Sequence, residues 1–401
     1  MTSFQRNNNV LVAIRRESSF NVQATATGAT EIRLTDSPGL SLKRAQIVSS
    51  EKRTDLLKTM PRMGYKSVAG SYNSELTVGG HIDLGQEAVT RGVWATATSI
   101  TFATMTSVQL LTNAVVATGG SWITQGIKVG DIFQITGTTV SADNNLNVRA
   151  LSVATLTIGV ATGTFTTLAS TATGTLTVLK KLATPTTPTS YSHSVEQYDG
   201  DTDLSELFTG VRWVGRKYSF KPGSPATVVD TFMGADRTAL TTGTSPYFTS
   251  PSVTTGLALI TEDSTLRYNG AIAATFTGFD LDFQVSAKGE PVIGTFVTPN
   301  VFDDDCTVTA SITGLRSDFS NLTLYDAETE FDLSIKLEEP NTGPPKSCFS
   351  IFLPRVKIGD LSANAGGGDG AKIETLQILV GPKVATSVYD AGVATFHSTA
   401  P

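Results

Sequence analysis

The most regular alternation of hydrophobic and polar positions in the chain begins at residue 279. Four apolar side chains recur at every second position: Phe279, Leu281, Phe283 and Val285. Asp280 and Asp282 lie between them. A period of two residues places the two sets on opposite faces of a β-strand. The pattern therefore predicts a strand with a buried apolar face and a solvated acidic face.

The same alternation returns at residues 331–338 and, less regularly, throughout the second half of the chain. It predicts strands over residues 191–197, 211–220, 271–287, 307–313, 330–337, 349–358 and 373–381. The apolar phase slips at Gly278, which predicts a bulge in the 271–287 strand. One helix is expected at residues 318–327, with Asp318 or Ser320 as its N-cap. A shorter helix is expected at residues 204–209, and a flexible loop at residues 366–370.

A segment of low charge interrupts the chain at residues 96–184, here named the middle segment. It contains six charged side chains, and Thr, Ala, Val, Leu and Gly fill most of the rest. Its strand candidates are residues 99–102, 131–136, 147–153, 155–160 and 174–179. Short strands at this spacing favour a small β-barrel or sandwich. A Pro/Thr linker follows at residues 185–189 and should be extended.

Composition narrows the class of protein further. Charged residues make up 16% of the 401-residue chain, and 40% are hydrophobic. With 36 glycines, 16 prolines and abundant threonine, the chain is expected to be mainly β. The net charge of −6 argues against tight binding of nucleic acid, which needs clustered Lys and Arg. No signal peptide and no membrane span is predicted.

No constellation of residues predicts chemistry. The three histidines, His81, His193 and His397, are far apart in sequence and lack the neighbours that a zinc site requires. Residues 199–203 begin like a calcium loop but fail its later positions, so an acidic turn capping a following helix is expected. Residues 303–305 are expected to form a solvated acidic loop. Two buried free thiols are expected at Cys306 and Cys348. The sequence thus predicts no catalytic residues, no metal and no cofactor.

Several segments, and the order in which they follow one another along the chain, resemble the major tail tube proteins of long-tailed, siphovirus-like bacteriophages. Residues 47–55 are similar to the family's polar segment before its first long hairpin. Residues 70–79 resemble its alternating strand, which leads into a short helix near residues 86–91. Residues 349–357, with Leu-Pro-Arg at 353–355, resemble its terminal strand, and the 318–327 helix fits the family's single well-formed helix. Residues 121–145 look like an accessory β-domain inserted in such proteins.

The resemblance implies a tail-tube-type β-sandwich or barrel with one short flanking helix and an inserted small β-domain. Residues 1–95 and 190–401 would form the tube core, and residues 96–184 the insertion. Subunits of this family form stacked rings, usually of six, that make a hollow tube for DNA. Asp280 and Asp282, with Glu75 as a weaker candidate, would line the channel, and a domain as large as the insertion would project outward.

The resemblance also implies partners and a location. The partners would be further copies of the chain, a tape measure protein, tail completion or terminator proteins, and DNA in transient passage, with no membrane. The protein would be assembled in the bacterial cytoplasm and reside in the virion. Two other classes stay open at this point: another virion structural protein, such as a decoration protein or fibre, and a carbohydrate-active β-sandwich enzyme.

Overall fold

Antiparallel β-strands form most of the chain. The computed structural model describes residues 4–273, 275–339, 344–363 and 370–400. The first core strands are β1 Val10–Arg16, β2 Thr30–Ile32, β3 Gly39–Ile47 and β4 Arg62–Glu75, followed by helix α1 His81–Thr90. The middle segment contributes β5 Thr98–Thr101, β6 Val108–Leu111, β7 Ala114–Ala117, β8 Ile132–Thr136, β9 Val148–Arg149, β10 Ser152–Val153, β11 Thr157–Gly159, β12 Leu168–Thr171, β13 Thr175–Val178 and β14 Lys180–Ala183.

The rest of the chain completes the core. Its elements are β15 His193–Asp199, β16 Leu204–Phe220, β17 Thr227–Gly234, β18 Asp236–Leu240, β19 Ser264–Tyr268, β20 Ala271–Ile272, β21 Phe276–Gly289, β22 Val301–Leu315, helix α2 Ser320–Asp326, β23 Phe331–Glu338, β24 Cys348–Ala363, β25 Ile373–Val380 and β26 Thr395–Ser398. Short 3₁₀ turns lie at Phe102–Met105, Ser141–Asp143 and Thr261–Asp263. The predicted mainly β class is confirmed.

The core is a sandwich of two β-layers, and two long strands, β16 and β24, cross from one layer to the other. The series β3-β4-β17-β16-β21-β22-β25-β24 is antiparallel throughout. The first half of β16 pairs with β15 and β18, and its second half with β17 and β21. Likewise, the first half of β24 pairs with β23 and β26, and its second half with β25. The two layers thereby enclose one apolar core.

The apolar face predicted for β21 lies in that core. Phe279, Leu281, Phe283 and Val285 are all buried. The ring of Phe279 stacks on Phe220 with centroids 5.5 Å apart, and the ring of Phe283 lies 5.7 Å from Phe396 on β26. The register shifts between Phe276 and Gly278, where the sequence predicts a bulge. The strand starts later than expected, at Phe276.

Helix α1 is held on the sheet by a buried polar cluster. The guanidinium of Arg216 is fully buried and binds both carboxylate oxygens of Asp230, at 2.7 and 2.9 Å. It also donates to the backbone carbonyl of Ile82 at the start of the helix, at 2.5 Å. Gly85 lies so close to Arg216 that a Cβ there would clash with the guanidinium at 2.4 Å. The helix thus needs a glycine at the place where the arginine packs beneath it.

The middle segment has sheets and an apolar cluster of its own. Its sheets have the strand orders β10-β11-β7-β6-β12 and β5-β13-β8-β9. Its buried cluster, which includes Trp122 and Phe133, draws only on residues 100–178. By contrast, β14 pairs with β26 of the core sheet. Each of the five strand candidates of this segment contains a strand, whereas the β6–β7 hairpin and β12 were not predicted.

Three local predictions are wrong. Residues 204–209 are not a helix, because they pair as a strand with β15 on one side and β18 on the other. Pairing of this kind overrides weak helical propensity. Residues 200–203 are consequently a hairpin turn with no helix to cap. Residues 303–305 belong to β22, where Arg212 and Arg91 bind Asp303.

Other predictions from the sequence agree more closely with the structure. The second helix is Ser320–Asp326, and the carboxylate of Asp318 accepts a hydrogen bond from the backbone N–H of Ser320 at 2.8 Å. The N-cap residue itself is Phe319, without a side-chain capping bond. Cys306 and Cys348 are free thiols as predicted, but only Cys348 is buried and Cys306 is partly exposed. Of the glycine-rich loop predicted at 366–370, residues 366–369 lie outside the described residues.

The three histidines are all buried, and this predicts loss of stability in acid. Burial lowers the pKa of His81 and of His193 to about 3. The unfolded chain therefore binds more protons than the folded chain between about pH 6.5 and pH 3. The free energy of unfolding should fall as the pH falls through this window. Each of these two histidines contributes about 1.4 kcal/mol per pH unit.

Urea unfolding of wild type and of His193→Phe at pH 7.5, 6.0, 5.0 and 4.5 measures this dependence. The variant keeps an aromatic ring against Trp213, whose ring centroid lies 4.7 Å from that of His193. Its unfolding free energy should fall less steeply, by about 1.4 kcal/mol per pH unit. If the unfolding free energy of the variant depended on pH as steeply as that of wild type, the lowered pKa of His193 would be contradicted.

Candidate functional site: the open face of the core sheet

The predicted acidic residues lie on one broad face of the sheet. Directly paired residues of antiparallel strands share a face, so the strand register defines each row of neighbours. The first row runs across seven strands: Glu75, Thr227, Ser219, Asp280, Ser311, Gln377 and Asp360. The second row is Asn73, Val229, Lys217, Asp282, Thr309, Leu379 and Lys357. These two rows are named the open face.

The three acids singled out from the sequence occupy this face together. Glu75 ends β4, three strands away from Asp280 on β21. All three carboxylates are partly exposed. Asp282 accepts a hydrogen bond from Gln284 at 2.9 Å, whereas Oδ1 of Asp280 is shielded and has no hydrogen-bond partner among the described residues.

Three charged residues of the open face were not singled out from the sequence. Asp360 lies in the same row as Asp280, and Lys217 lies directly opposite Asp282. Lys357, in the second row, bonds Glu328 at 2.8 Å. The two rows therefore carry four carboxylates and two lysines among hydroxyl and amide side chains, with Val229 and Leu379 as their two apolar members. The result is a mildly acidic, largely polar surface.

The opposite face of the same strands is the buried one. Tyr72, Val228, Tyr218, Leu281 and Ile312 alternate with the open-face residues and are all buried. Helix α2 also lies on this side, because Leu324 packs against the core and Asn321 bonds the buried Glu374. The sheet thus separates an apolar core from a polar surface that extends over seven strands.

Other candidate groups serve structure. Asp201 binds Arg6 and Asn9, at 2.8 Å each, and closes the β15–β16 turn against the N-terminal segment. The buried ring of His397 lies 3.3 Å from Asp131, which also binds Lys181. Within the described ranges, no group of three or more His, Cys, Asp or Glu is placed to hold a metal ion. No described helix has the length and apolar character needed to cross a membrane.

An exposed segment projects between β3 and β4 at residues 48–61, here named the arm. It contains neither helix nor strand. Leu56, Leu57 and Met60 are 93%, 67% and 86% exposed. Large apolar side chains exposed together on one loop are typical of a protein–protein contact. The arm shows no hydrophobic periodicity, which explains why the sequence pattern did not single out these residues.

Beside the arm, the sheet has an unpaired edge. Within the described residues, β3 pairs with β4 and with no other strand. At the start of this edge, the N–H and C=O of Leu40 bond the side-chain amide of Gln197, at 2.7 and 3.3 Å. The unpaired edge beyond Leu40 offers N–H and C=O groups to another chain.

Comparison with known proteins identifies the family. A search of curated proteins finds no match. The family model for phage tail tube protein matches residues 7–379. This range includes the open face, the arm and the middle segment, and it confirms the resemblance to a phage tail tube protein. The chain belongs to the phage tail tube protein family and is a structural component of the virion.

Proposed function

We propose that the chain forms stacked six-membered rings whose joined sheets enclose the channel through which DNA leaves a long, flexible phage tail. The observation that carries this proposal is the open face. One polar surface spans seven strands of a sheet whose other face is fully covered. In a tube-forming protein, such a surface is suited to line the channel, because a channel wall must be wide, hydrated and without patches that bind DNA.

The charge of the open face suits passing DNA. A carboxylate-bearing wall repels phosphates, whereas clustered Lys and Arg would bind them. Asp280, Asp282 and Glu75 are the proposed channel-lining acids, and Asp360 joins them. Lys217 opposite Asp282 keeps the local field moderate. Serine, threonine and glutamine between the charges bond water, and the two apolar members of the rows, Val229 and Leu379, lie singly among polar neighbours.

Ring closure follows from the free edge of β3. We infer that this edge pairs with a neighbouring copy, so that the sheets join into one barrel. A closed barrel has no exposed edges, which removes the risk of uncontrolled pairing. The arm is proposed to contact the next ring, because its exposed Leu56, Leu57 and Met60 need an apolar partner and emerge at the end of β4 opposite to Glu75.

The middle segment is proposed to be an inserted domain outside the tube. Ala95 and Lys181 exchange two backbone hydrogen bonds, at 2.8 and 3.1 Å, so the chain leaves and rejoins the core at one point. The separate cluster of residues 100–178 supports this division. We place the end of the domain at residue 179 rather than 184, because β14 is a core strand.

The remaining partners are proposed from the family alone. A tape measure protein would fill the channel during assembly, and tail completion or terminator proteins would cap the ends. Assembly would take place in the bacterial cytoplasm before incorporation into the virion.

Electron microscopy of the purified chain tests self-assembly. At high concentration and neutral pH, wild type should form hollow tubes of constant diameter with six-fold end views. The triple variant Leu56→Ser/Leu57→Ser/Met60→Ser should remain folded and form no long tubes, whereas Val384→Ser, which removes an exposed apolar side chain elsewhere, should behave as wild type. Fibres or isolated particles of wild type would contradict the proposal and favour another virion role.

Deletion of the middle segment should leave a folded core. Replacing residues 97–178 with a short Gly/Ser linker keeps Ala95, β14 and its pairing with β26. Thermal unfolding should stay cooperative at a lower midpoint, because contacts between segment and core are lost. A deletion of residues 96–184 also removes β14 and should be clearly less stable. Loss of cooperative unfolding in the 97–178 deletion would show that the segment is part of the main core.

A further inference from the structure

The middle segment rests on the polar face of β23, and this contact contains buried cations. Arg149 is buried at the junction. Its guanidinium donates to Ser350 Oγ at 2.5 Å, to the backbone carbonyl of Ile335 at 3.3 Å and to that of Gly130 at 3.2 Å. Lys336 reaches across in the opposite direction and donates to the backbone carbonyl of Asn147 at 2.8 Å.

A cavity of about 320 Å³ opens at this junction. Its polar lining comes from both sides of the contact: Asn147, Arg149, Thr265, Arg267, Lys336 and Glu338. Leu146 and Ile272 are among its apolar walls. Small-molecule sites typically combine such a volume and apolar walls with a few convergent polar groups.

The charges of the cavity do not balance. Three cations line it with one carboxylate, and that carboxylate, Glu338, is bound to Lys336 at 3.1 Å. Neither Arg149 nor Arg267 contacts a carboxylate among the described residues. Within the part of the chain that the structure describes, Arg267 donates a hydrogen bond only to the backbone carbonyl of Gly270, at 3.2 Å.

Burial makes this imbalance costly. Burial, together with a smaller effect of the positive charge of Arg267, lowers the pKa of Arg149 to about 10. The negative charges of Asp332 and Asp131 act from a distance in the opposite direction. Buried charges are normally paired, because removing an ion from water without a partner is unfavourable. Two arginines that line one cavity, each without a carboxylate partner among the described residues, are therefore suited to receive an anion.

We propose that the cavity binds a small anionic saccharide, that is, a sugar carrying a phosphate or a carboxylate. The anionic group would bind between Arg149 and Arg267, where guanidinium geometry matches both groups. Thr265 would bond a sugar hydroxyl, and Leu146 and Ile272 would contact the ring. This site is independent of the channel, since it lies on the other side of β23 from the core and needs no tube.

Calorimetric titration of the full chain, at a concentration below tube formation, tests the proposal. The probes are glucose 6-phosphate, glucuronate, glucose and inorganic phosphate. At least one anionic sugar should bind with one-to-one saturation, more tightly than glucose or inorganic phosphate and more weakly at high salt. The tighter of the two anionic sugars identifies the anionic group. Equal affinity for inorganic phosphate, or no saturable binding of either anionic sugar, would overturn the proposal.

Variants locate the site. Arg267→Gln should weaken binding of the anionic sugar at least tenfold, whereas Lys372→Gln, which removes an exposed positive charge elsewhere, should leave it unchanged. Arg149→Lys keeps the charge but not the planar group and should also weaken binding. If that variant fails to fold, Arg267→Gln still decides, because its side chain is only partly buried. Equal binding by Arg267→Gln and wild type would overturn the proposal.

Discussion

Replacing Asp230 with alanine is expected to lower the free energy of unfolding by about 3–5 kcal/mol, the usual effect of removing one partner of a buried ion pair. The variant leaves the guanidinium of Arg216 buried without its counter-charge. Arg216 is fully buried and Asp230 is 1% exposed, so water cannot replace the lost carboxylate. The carbonyl groups of α1 that Arg216 binds would also be disturbed.

Urea unfolding of single and double variants separates the effect of the unpaired charge on stability from the effect of lost packing. The double variant Arg216→Met/Asp230→Leu removes both charges and fills similar space, so it should be much more stable than Asp230→Ala. As a surface control, Glu330→Ala breaks the exposed pair with Arg355 and should cost no more than about 1 kcal/mol. An effect of Asp230→Ala as small as this control would mean that the pair contributes little to the attachment of α1.

The sequence predicts well what depends on local periodicity. The alternation at 279–285 identifies a buried face because both the period and the burial follow from the order of side chains along one strand. The phase slip at Gly278 is local for the same reason. The short helix before β23 lies within the predicted residues 318–327, although its N-cap is Phe319 and neither Asp318 nor Ser320.

Features that depend on pairing between distant strands could not be predicted. The two-residue alternation placed Asp280 and Asp282 on one face, but only the register brings Lys217 opposite Asp282. The acidic run at 303–305 resembled a loop because its neutralising partner, Arg212, is almost a hundred residues away. Residues 204–209 were misassigned since their strand character comes from partners on both sides.

The polar face of β23 gives a further example. The alternation at 331–338 correctly separates apolar from polar side chains, and the natural expectation for the polar set is solvation. In the structure, the middle segment covers part of that set, and Lys336 bonds its backbone. A single strand pattern cannot distinguish a face wetted by solvent from one covered by a second domain.

Reversing the charge of the open face is expected to block DNA ejection. The proposed variant is Asp280→Lys/Asp282→Lys. The two positions lie about 7 Å apart along the strand, and in a ring of six they would exchange twelve carboxylates for twelve ammonium groups. This ring of charge would act on DNA within a Debye length of about 8 Å at physiological salt. A basic wall would hold phosphates and release counterions, as in non-specific DNA binding.

The fold should tolerate the change, because both side chains are partly exposed and neither forms an ion pair among the described residues. A cost of up to about 1 kcal/mol is expected, since the new lysine at 282 would face Lys217. The matched control is Asp318→Lys/Asp326→Lys, with the same charge change beside α2, on the other side of the sheet. Tails of both variants should look normal in micrographs.

The rate of DNA ejection then shows whether the open face lines the channel or lies on the outside of the tube. Virions with the 280/282 change should release DNA slowly or incompletely when triggered, and raising the salt concentration should restore part of the rate because screening weakens the attraction. Virions with the 318/326 change should eject as wild type. Normal ejection from normally assembled 280/282 virions would place the open face outside the channel, and the carboxylates would then be surface charge alone.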